Sequence, residues 1–312
     1  MWDPGLYRQF GAERSRPFYE LIARIGATAP AFVADVGCGP GELTADLARR
    51  WPSAEVVGVD SSREMIAEAS SLVDNPGLGL TPRLRFEIAD ATDWQPPRPV
   101  DVLVSNAMLQ WIPDQEKLVG RWASQLSDSG WLAFALPANF DQPTHRLLRG
   151  LAGTDRWRPM LEDVAFNMQA ADPAEYLDLL GGHGFSVDAW ETTYLHVLTG
   201  DDPVLHWYRG TGLRPVIAAL GHDEAAEFVA EYGALLRDAY PAHPYGTVLP
   251  FRRVFSSPTA SVATPPSLHV VRRAPQPGRH PAPPPHRVNP RIADYLSRLP
   301  HKIVRDHGAP RR

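Results

Sequence analysis

Cysteine is almost missing from this chain, since Cys38 is the only one among 312 residues. A single thiol excludes a disulfide within the chain and a metal site built from several cysteines. Long apolar runs are missing too, and no stretch approaches the ~20 residues that a membrane span requires. The opening residues lack the charged and apolar regions of a signal peptide. We therefore expect a cytoplasmic protein with no metal and no membrane partner.

An excess of positive charge is also missing from most of the chain. The net charge is −5, and residues 256–312 contain ten Lys or Arg against two acids, so the preceding part is the more acidic. A broad nucleic-acid surface would be basic. We expect no nucleic-acid partner, and we interpret the basic tail as solvated rather than as a surface for nucleic acid or anionic membrane.

Short apolar segments alternate with amphipathic ones over the first 137 residues. Strands are predicted at 31–36, 56–59, 84–88, 100–104 and 131–136, with helices at 42–51, from 64 and at 116–126. Strands that alternate with helices are typical of a parallel sheet with helices on both faces. Open sheets of this kind bind ligands at the carboxyl edge of the strands.

The pattern becomes largely helical after residue 137. Helices are predicted within 140–182 and 202–240, with strands at 187–197 and 247–255. The fold class is therefore α/β: a Rossmann-like, seven-stranded, mostly parallel sheet with a helical cap from insertions after strands 5 and 6. We predict one domain over 1–255, with a cofactor half at 1–137, cap and substrate elements at 138–246 and the last strand at 247–255.

The composition changes abruptly at Ser256. Ten prolines lie between Pro258 and Pro290, and such a segment cannot build a core. Residues 256–312 are predicted to form a disordered Pro/Arg-rich tail.

A glycine-rich loop follows the first predicted strand, with Gly37, Gly39 and Gly41 at alternate positions behind Asp35. Glycines permit positive φ and a close approach of the backbone to a ligand, and a helix start favours anions. A dinucleotide site uses a similar loop, but its G-x-G-x-x-G spacing would place the third glycine at residue 42, which is Glu42. The spacing favours a methyltransferase over an NAD-dependent oxidoreductase.

Polar residues follow the next three strands in order. Asp60 ends the second strand, where a carboxylate can accept hydrogen bonds from both hydroxyls of a ribose, and Asp90 follows the third, where it can accept from an adenine amino group. The full set of predicted cofactor-binding residues is Asp35, Gly37, Gly39, Gly41, Asp60, Ser61, Met65, Asp90, Ala91 and Asn106.

With these residues in place, the chain resembles class I methyltransferases, and among them the bacterial trans-aconitate 2-methyltransferases. The resemblance covers about residues 1–255. It is carried by Trp2-Asp3-Pro4, Tyr7, residues 13–18, the glycine loop, Val59-Asp60-Ser61, Met65, residues 106–111, Tyr194-Leu195-His196, Trp207, Gly210-Thr211, Arg214-Pro215 and residues 250–255.

The resemblance implies transfer of a methyl group from S-adenosyl-L-methionine to one carboxylate of trans-aconitate. A carboxylate is ionised at neutral pH, because its ordinary pKa lies near 4, so no general base and no firm catalytic residue is expected. The substrate is a small anionic carboxylic acid, which calls for Arg, His and Tyr side chains. The predicted substrate-binding residues are Arg14, Tyr194, His196, Trp207, Thr211, Arg214 and Arg252.

Arg252 and Arg253 are neighbours on the last predicted strand and face opposite sides, so only one of them is expected to point inward. Cys38 is interpreted as a small residue that fits the tight loop, not as a nucleophile. A monomer is expected, although no sequence feature determines the oligomeric state.

The chain departs from the family pattern after Phe255, where an apolar ending would be typical. We interpret the departure as a changed reading frame that shortens the last strand. Three alternatives to the trans-aconitate enzyme stay open. They are a methyltransferase for another small di- or tricarboxylate or a carrier-bound malonyl group, a non-catalytic S-adenosylmethionine-binding protein, and an NAD-dependent oxidoreductase.

Overall fold

The computed structural model describes residues 11–75, 79, 83–166 and 168–260. The strands of the described residues are β1 Phe32–Val36, β2 Glu55–Asp60, β3 Leu84–Ile88, β4 Val100–Asn106, β5 Leu126–Pro137, β6 Phe185–Leu198, β7 Ala242–His243 and β8 Gly246–Ala260. The helices are α1 Gly11–Ile22, α2 Glu42–Arg50, α3 Arg63–Val73, α4 Gln115–Ser124, α5 Pro143–Ala152, α6 Arg158–Leu161, α7 Pro173–Gly182, α8 Pro203–Arg209, α9 Arg214–Ala219 and α10 His222–Ala239.

The strands form one sheet in the order β3-β2-β1-β4-β5-β8-β6, with the short β7 paired to β8. Strands β1 to β5 are parallel, and β8 runs antiparallel to β5. Asp35 of β1 is in register with Gly58 of β2 and with Val104 of β4. The carboxyl ends of these three strands therefore lie side by side, and the predicted mostly parallel Rossmann-like sheet is confirmed.

The chain divides into two compact units, and the first contains the described residues up to 140 together with 168–195 and 250–260. Its core has two clusters of buried hydrophobic side chains. Successive side chains of β1 belong to different clusters, Phe32 to one and Val33 to the other. The first cluster includes Trp122 of α4, and the second includes Phe18 of α1 and Leu47 of α2. A fully buried side chain of this size contributes about 1.5–3 kcal/mol, so these two layers hold the strand ends in position.

The second unit contains residues 141–166 and 196–249, which form α5, α6, α8, α9 and α10. Within it, the Thr144 hydroxyl donates to the Tyr208 hydroxyl oxygen at 2.8 Å, and the Tyr232 hydroxyl donates to the Thr144 carbonyl at 3.1 Å. Trp157 packs edge-on against Phe228. Residues 168–195, which include α7, lie in the first unit although they fall within the predicted cap range of 138–246.

The last strand is longer than predicted. β8 continues to Ala260, five residues beyond the expected end at Phe255. Ser256 pairs with Phe134 and Thr259 with Trp131, and Ser256 is fully buried. The Ser- and Pro-containing sequence is typical of a loop, but β8 lies between β5 and β6, and pairing of the main chain keeps it extended. The strand is therefore not shortened, and the predicted tail boundary moves from 256 to at least 261.

Residues 1–10 and 261–312 lie outside the described residues, so the structure does not test the opening motif at Trp2 and Tyr7 or the predicted tail after residue 260. None of the helices in the described ranges is both long enough and apolar enough to cross a membrane.

Candidate functional site

The glycine loop joins β1 to α2 and has the backbone that its sequence requires. Gly37, Gly39 and Gly41 have φ angles of 80°, 56° and 84°, which L side chains rarely adopt. A Cβ at Gly37 would lie 2.5 Å from the Cβ of Met108, whereas a Cβ at Gly39 would meet no described atom within 4 Å. Gly37 is therefore required by packing, and Gly39 leaves its side of the loop open.

Asp60, at the end of β2, is held by two backbone groups. The N–H of Gly39 donates to its Oδ2 at 3.0 Å, and the N–H of Ser62 donates to its Oδ1 at 2.9 Å. An ionised carboxylate offers about four acceptor positions. Each oxygen of Asp60 therefore keeps a lone pair for a further donor, and the two protein bonds fix the orientation of the carboxylate.

Asp35 lies deep inside this unit at the end of β1. Its carboxylate is 3% exposed and accepts a hydrogen bond from the Thr44 hydroxyl at 2.6 Å. Burial raises the pKa of Asp35 to about 7; the Thr44 hydrogen bond opposes the rise and the charge of Asp60 adds to it. Asp35 therefore braces the start of α2 from beneath the loop.

Asp90 and Ala91 follow β3 and form a local turn. The N–H and the hydroxyl of Thr92 both donate to Oδ1 of Asp90, at 2.8 and 2.6 Å, and these bonds lower the pKa of this exposed carboxylate. The carbonyl of Ala91 accepts a hydrogen bond from Arg121 at 2.9 Å. Ile88 is 49% exposed at the end of the strand, so an apolar surface adjoins the acceptor, as an adenine site would need.

The other predicted cofactor residues differ in their surroundings. Ser61 is exposed, and Met65 is buried beneath the start of α3, where its N–H donates to the N-cap Ser62. Asn106 ends β4, and its Oδ1 is buried with no hydrogen-bond donor among the described residues. The following residue, Ala107, has a φ of 58°.

Cys38 lies under the same loop and is 8% exposed. Burial raises the pKa of the Cys38 thiol, and the charges of Asp35 and Asp60 raise it further. A thiol in these surroundings stays protonated and unreactive, which agrees with a packing role in the tight loop.

Tyr194 of β6 is a predicted substrate residue of the first unit and contacts α1. Its hydroxyl donates to Oε2 of Glu20 at 2.6 Å, and the guanidinium of Arg16 lies 4.9 Å from its ring centre. Burial and the Glu20 hydrogen bond raise the pKa of Tyr194, whereas the charges of Arg253 and Arg16 oppose the rise. Arg14 belongs to α1, and its side chain lies outside what the structure describes.

Arg252 and Arg253 of β8 have opposite environments, as alternation along a strand predicts. The guanidinium of Arg252 donates to Asp172 at 2.6 Å and to Glu191 at 2.5 and 3.0 Å. Arg253 is only 5% exposed. Of the two arginines, Arg253 is the one that points inward, and the predicted substrate role of Arg252 would have to compete with two carboxylates.

The remaining predicted substrate residues belong to the second unit. His196 is buried and stacks on Trp207, with ring centres 4.9 Å apart. The Thr211 hydroxyl donates to the Trp207 carbonyl at 3.4 Å. Arg214 begins α9 and is half-buried. His196 and Trp207 thus form one packed pair, with Thr211 tied to the same helix.

Comparison with known proteins identifies the family. A family model described as a methyltransferase domain matches residues 33–130. The trans-aconitate 2-methyltransferase of Streptomyces avermitilis is 48% identical over 258 residues, which cover 82% of this chain and 95% of that protein. The protein of the same name from Rhodococcus jostii is 46% identical over 258 residues, or 82% and 98% of the two chains. The chain belongs to the trans-aconitate 2-methyltransferase family.

Solved structures agree at the level of the fold. The YcgJ protein from Bacillus subtilis superposes with a TM-score of 0.51 at 17% identity, over 78% of this chain and 97% of that one. Such a likeness supports the Rossmann-like architecture and says nothing about the substrate.

As a member of the trans-aconitate 2-methyltransferase family, the chain is an S-adenosylmethionine-dependent methyltransferase, and the β1–β4 edge fits that cofactor. Gly39 leaves room for a ligand, Asp60 keeps acceptor positions, and the Oδ1 of Asn106 is a buried acceptor that needs a donor. Among the described residues, no group of three or more His, Cys, Asp or Glu side chains could hold a metal ion.

Three residues of interest were not assigned a role from the sequence. Gln110 is buried in the turn after β4, Arg253 is the inward arginine of β8, and His145 of α5 is buried against Tyr208 with ring centres 5.3 Å apart. Burial lowers the pKa of His145 to about 4, so its imidazole is neutral at physiological pH. Alternation along β8 indicated Arg252 or Arg253 without separating them, the resemblance included Gln110 without a role, and nothing in the sequence distinguished His145 from core residues.

Proposed function

We propose that the protein transfers the methyl group of S-adenosylmethionine to one carboxylate of trans-aconitate and so forms the monomethyl ester. The observation that carries the proposal is the 48% identity, over 82% of this chain, to a relative named for that activity. The carboxyl edge of the sheet in the first unit also supports the proposal. Its hydrogen-bond acceptors are the groups that the adenosyl and amino acid parts of the cofactor require.

The cofactor supplies an electrophilic methyl group on a positively charged sulfur. The protein contributes binding: Asp60 would accept hydrogen bonds from the ribose hydroxyls, and the N–H groups of Gly39 and Ser62 hold its carboxylate in place. Asp90 would accept a hydrogen bond from the adenine amino group through the oxygen to which Thr92 does not donate. The exposed side chain of Ile88 would offer an apolar surface to the adenine ring.

The acceptor carboxylate enters as an anion, because its ordinary pKa lies well below neutral pH. One of its oxygens forms the new O–CH₃ bond, the S–CH₃ bond breaks, and the electron pair of that bond stays on sulfur. No proton moves, so the protein needs no general base. Holding the oxygen in line with the methyl group can supply ~7–11 kcal/mol of the barrier.

Cationic and hydroxyl groups are the partners that the other carboxylates would need. In the first unit we place Arg253 with Tyr194 in this role, because Arg253 is buried and its charge acts on Tyr194. In the second unit His196, Thr211 and Arg214 keep the role predicted for them. Arg14, Trp207 and Arg252 remain predictions, as do the monomeric state and the cytoplasmic location.

The test is methyl transfer from labelled S-adenosylmethionine to trans-aconitate, cis-aconitate, citrate, isocitrate and itaconate. We expect preferential labelling of trans-aconitate as an ester that mild base hydrolyses. Labelling of another acid, or of a carrier-bound malonyl group, would keep the chemistry and replace the substrate. Cofactor binding without labelling of any acid would contradict the proposal and support a non-catalytic binding protein. Asp60→Ala serves as the matched control for cofactor dependence.

A further inference from the structure

The turn that follows β4 has a strained backbone held by one side chain. Ala107 has a φ of 58°, which is unusual for a residue with a Cβ. The side-chain Nε2 of Gln110 donates to the Ala107 carbonyl at 2.6 Å, and the Ala107 N–H donates to the Ala135 carbonyl at 2.7 Å. Strained backbone of this kind is concentrated at functional sites.

Two acceptor oxygens are buried in this turn. The Oδ1 of Asn106 and the Oε1 of Gln110 both lie out of solvent, and neither accepts a hydrogen bond from any described residue. Gln110 as a whole is 6% exposed. A buried acceptor without a donor destabilises the fold, and such groups in native proteins call for an explanation. A ligand that brings N–H donors would supply one.

The turn lies directly against the glycine loop. The register of β1 and β4 pairs Asp35 with Val104, so the residues two positions later, Gly37 and Asn106, leave their strands at the same level. The contact is close, because a Cβ at Gly37 would lie 2.5 Å from both Cβ and Cγ of Met108. The two buried oxygens therefore belong to the turn that contacts the glycine loop through Met108.

The chemistry of the reactants decides which donors could reach these oxygens. Ionised trans-aconitate has no hydroxyl group and carries only acceptor oxygens, so it cannot satisfy a buried acceptor. The ribose hydroxyls and the adenine amino group are already assigned to Asp60 and Asp90. The α-ammonium group of the cofactor's methionine part remains, with three N–H donors and a positive charge.

We propose that Gln110, together with Asn106, binds the α-ammonium group of S-adenosylmethionine through its buried Oε1. Gln110 is then a cofactor-positioning residue with two functions. Its Nε2 holds the strained Ala107 turn, and its Oε1 orients the amino acid part of the cofactor. The inference rests on the proposed methyltransferase function and deepens it, since it names the residue that binds the ammonium group of the cofactor.

The test compares two ligands by titration calorimetry: S-adenosylhomocysteine, and its deaminated analogue, which keeps the carboxylate and lacks the ammonium group. Gln110→Met keeps the size of the side chain and removes both polar atoms. We expect the variant to bind S-adenosylhomocysteine roughly tenfold or more weakly, as for a lost hydrogen bond to a charged group. Its affinity for the deaminated analogue should stay within about twofold of the wild-type value.

Two further variants separate binding from structure. Gln110→Glu keeps the acceptor and removes the donor to Ala107, so it should retain most of the affinity for S-adenosylhomocysteine. Gln115→Met is the matched control, because Gln115 is equally buried but both ends of its amide are bonded, to Tyr176 and to the Gln169 carbonyl. It should lower the thermal midpoint without separating the two ligands.

An equal loss of affinity for both ligands in Gln110→Met would overturn the inference and leave Gln110 with a structural function only. So would a wild-type protein that binds both ligands equally well, because its ammonium site would then contribute nothing. A wild-type protein that binds neither ligand would instead contradict the proposed function, so the two failures are distinguishable.

Discussion

The backbone N–H of Gly39 donates to the carboxylate of Asp60 at 3.0 Å. Gly39, in the loop after β1, thus fixes the orientation of the Asp60 side chain at the end of β2. The two residues form one hydrogen-bonded unit. A ligand that touches either of them meets a surface whose geometry is set before it arrives, which lowers the entropic cost of binding.

Asp60→Ala should weaken binding of S-adenosylmethionine by about 1.5–3 kcal/mol, the range for lost hydrogen bonds that involve a charged group. Titration calorimetry measures the change directly. Unchanged affinity would remove Asp60 from the cofactor site. Asp60→Asn keeps one acceptor oxygen and should fall between the wild type and the Ala variant.

Alanine at Gly37 and at Gly39 should have different consequences, although both glycines have positive φ. Gly37→Ala drives a Cβ into Met108 and should destabilise the fold by more than the ~1–2 kcal/mol of left-handed backbone alone. Gly39→Ala should destabilise the fold only through the backbone strain of its positive φ. Because its methyl group fills the open side of the loop, it should weaken cofactor binding more than it destabilises the fold. Denaturant unfolding and calorimetry on both variants check the contrast, and equal unfolding costs would contradict it.

The buried Asp35 predicts a pH dependence of stability. Burial raises its pKa to about 7 in the folded chain, against roughly 4 when unfolded. Between these values the folded chain holds a proton that the unfolded chain has released, so the free energy of unfolding should fall as the pH rises from about 4 to about 7. The loss is complete above pH 7 and amounts to a few kcal/mol, at ~1.4 kcal/mol per pKa unit.

Asp35→Asn isolates this effect, because the amide oxygen can still accept from Thr44. Thermal unfolding at pH 5 and pH 8 should show the variant gaining stability relative to the wild type as the pH rises. A difference between the two proteins that is the same at both pH values would contradict a raised pKa for Asp35.

Arg252 and Arg253 can be separated kinetically. Arg252→Met breaks ion pairs with the exposed carboxylates of Asp172 and Glu191, so its cost should stay near or below ~1 kcal/mol of stability, with KM for trans-aconitate unchanged. Arg253→Met should raise that KM at least tenfold, while the Kd of S-adenosylhomocysteine stays constant. A raised KM in the Arg252 variant alone would restore the role that the sequence predicted for it.

Arg214→Ala tests the second unit in the same way. The residue carries a positive charge at the start of α9, and its loss should weaken the binding of trans-aconitate with the affinity for cofactor intact. Saturation kinetics in each reactant measure the two effects. Loss of cofactor binding would contradict a substrate role for Arg214.

The sequence predicted the central strands well, because their apolar segments are short, β-branched and bounded by turn residues. β3 has the predicted bounds of 84–88. The sequence predicts β5 from Trp131, but the strand begins at Leu126, which pairs with Val100 across an irregularity in the register. The α/β fold and the positions of Asp60, Asp90 and Asn106 at or just after successive strand ends followed from the alternation.

Residue types at strand ends were predictable, but the partners of their atoms were not. The positive φ of Gly37, Gly39 and Gly41 agrees with the reason for expecting glycine there. Which arginine of β8 points inward depends on strand register, and the buried oxygen of Gln110 depends on the direction of one amide. These details depend on packing between residues that are far apart in the chain. The 3.6-residue and 2-residue periods of the sequence describe only the local helix or strand, so they do not predict such packing.

The five residues that complete β8 also bear on how this edge of the protein tolerates change. Their pairing with β5 uses main-chain groups, and every residue except proline offers the same donor and acceptor there. A switch of reading frame at residue 256 would therefore keep the strand wherever it places no proline at a paired position. The antiparallel direction of β8 also carries Ala260 toward the amino end of β5, so changes at this end of the strand lie at the rim opposite Gly39, Asp60 and Asn106.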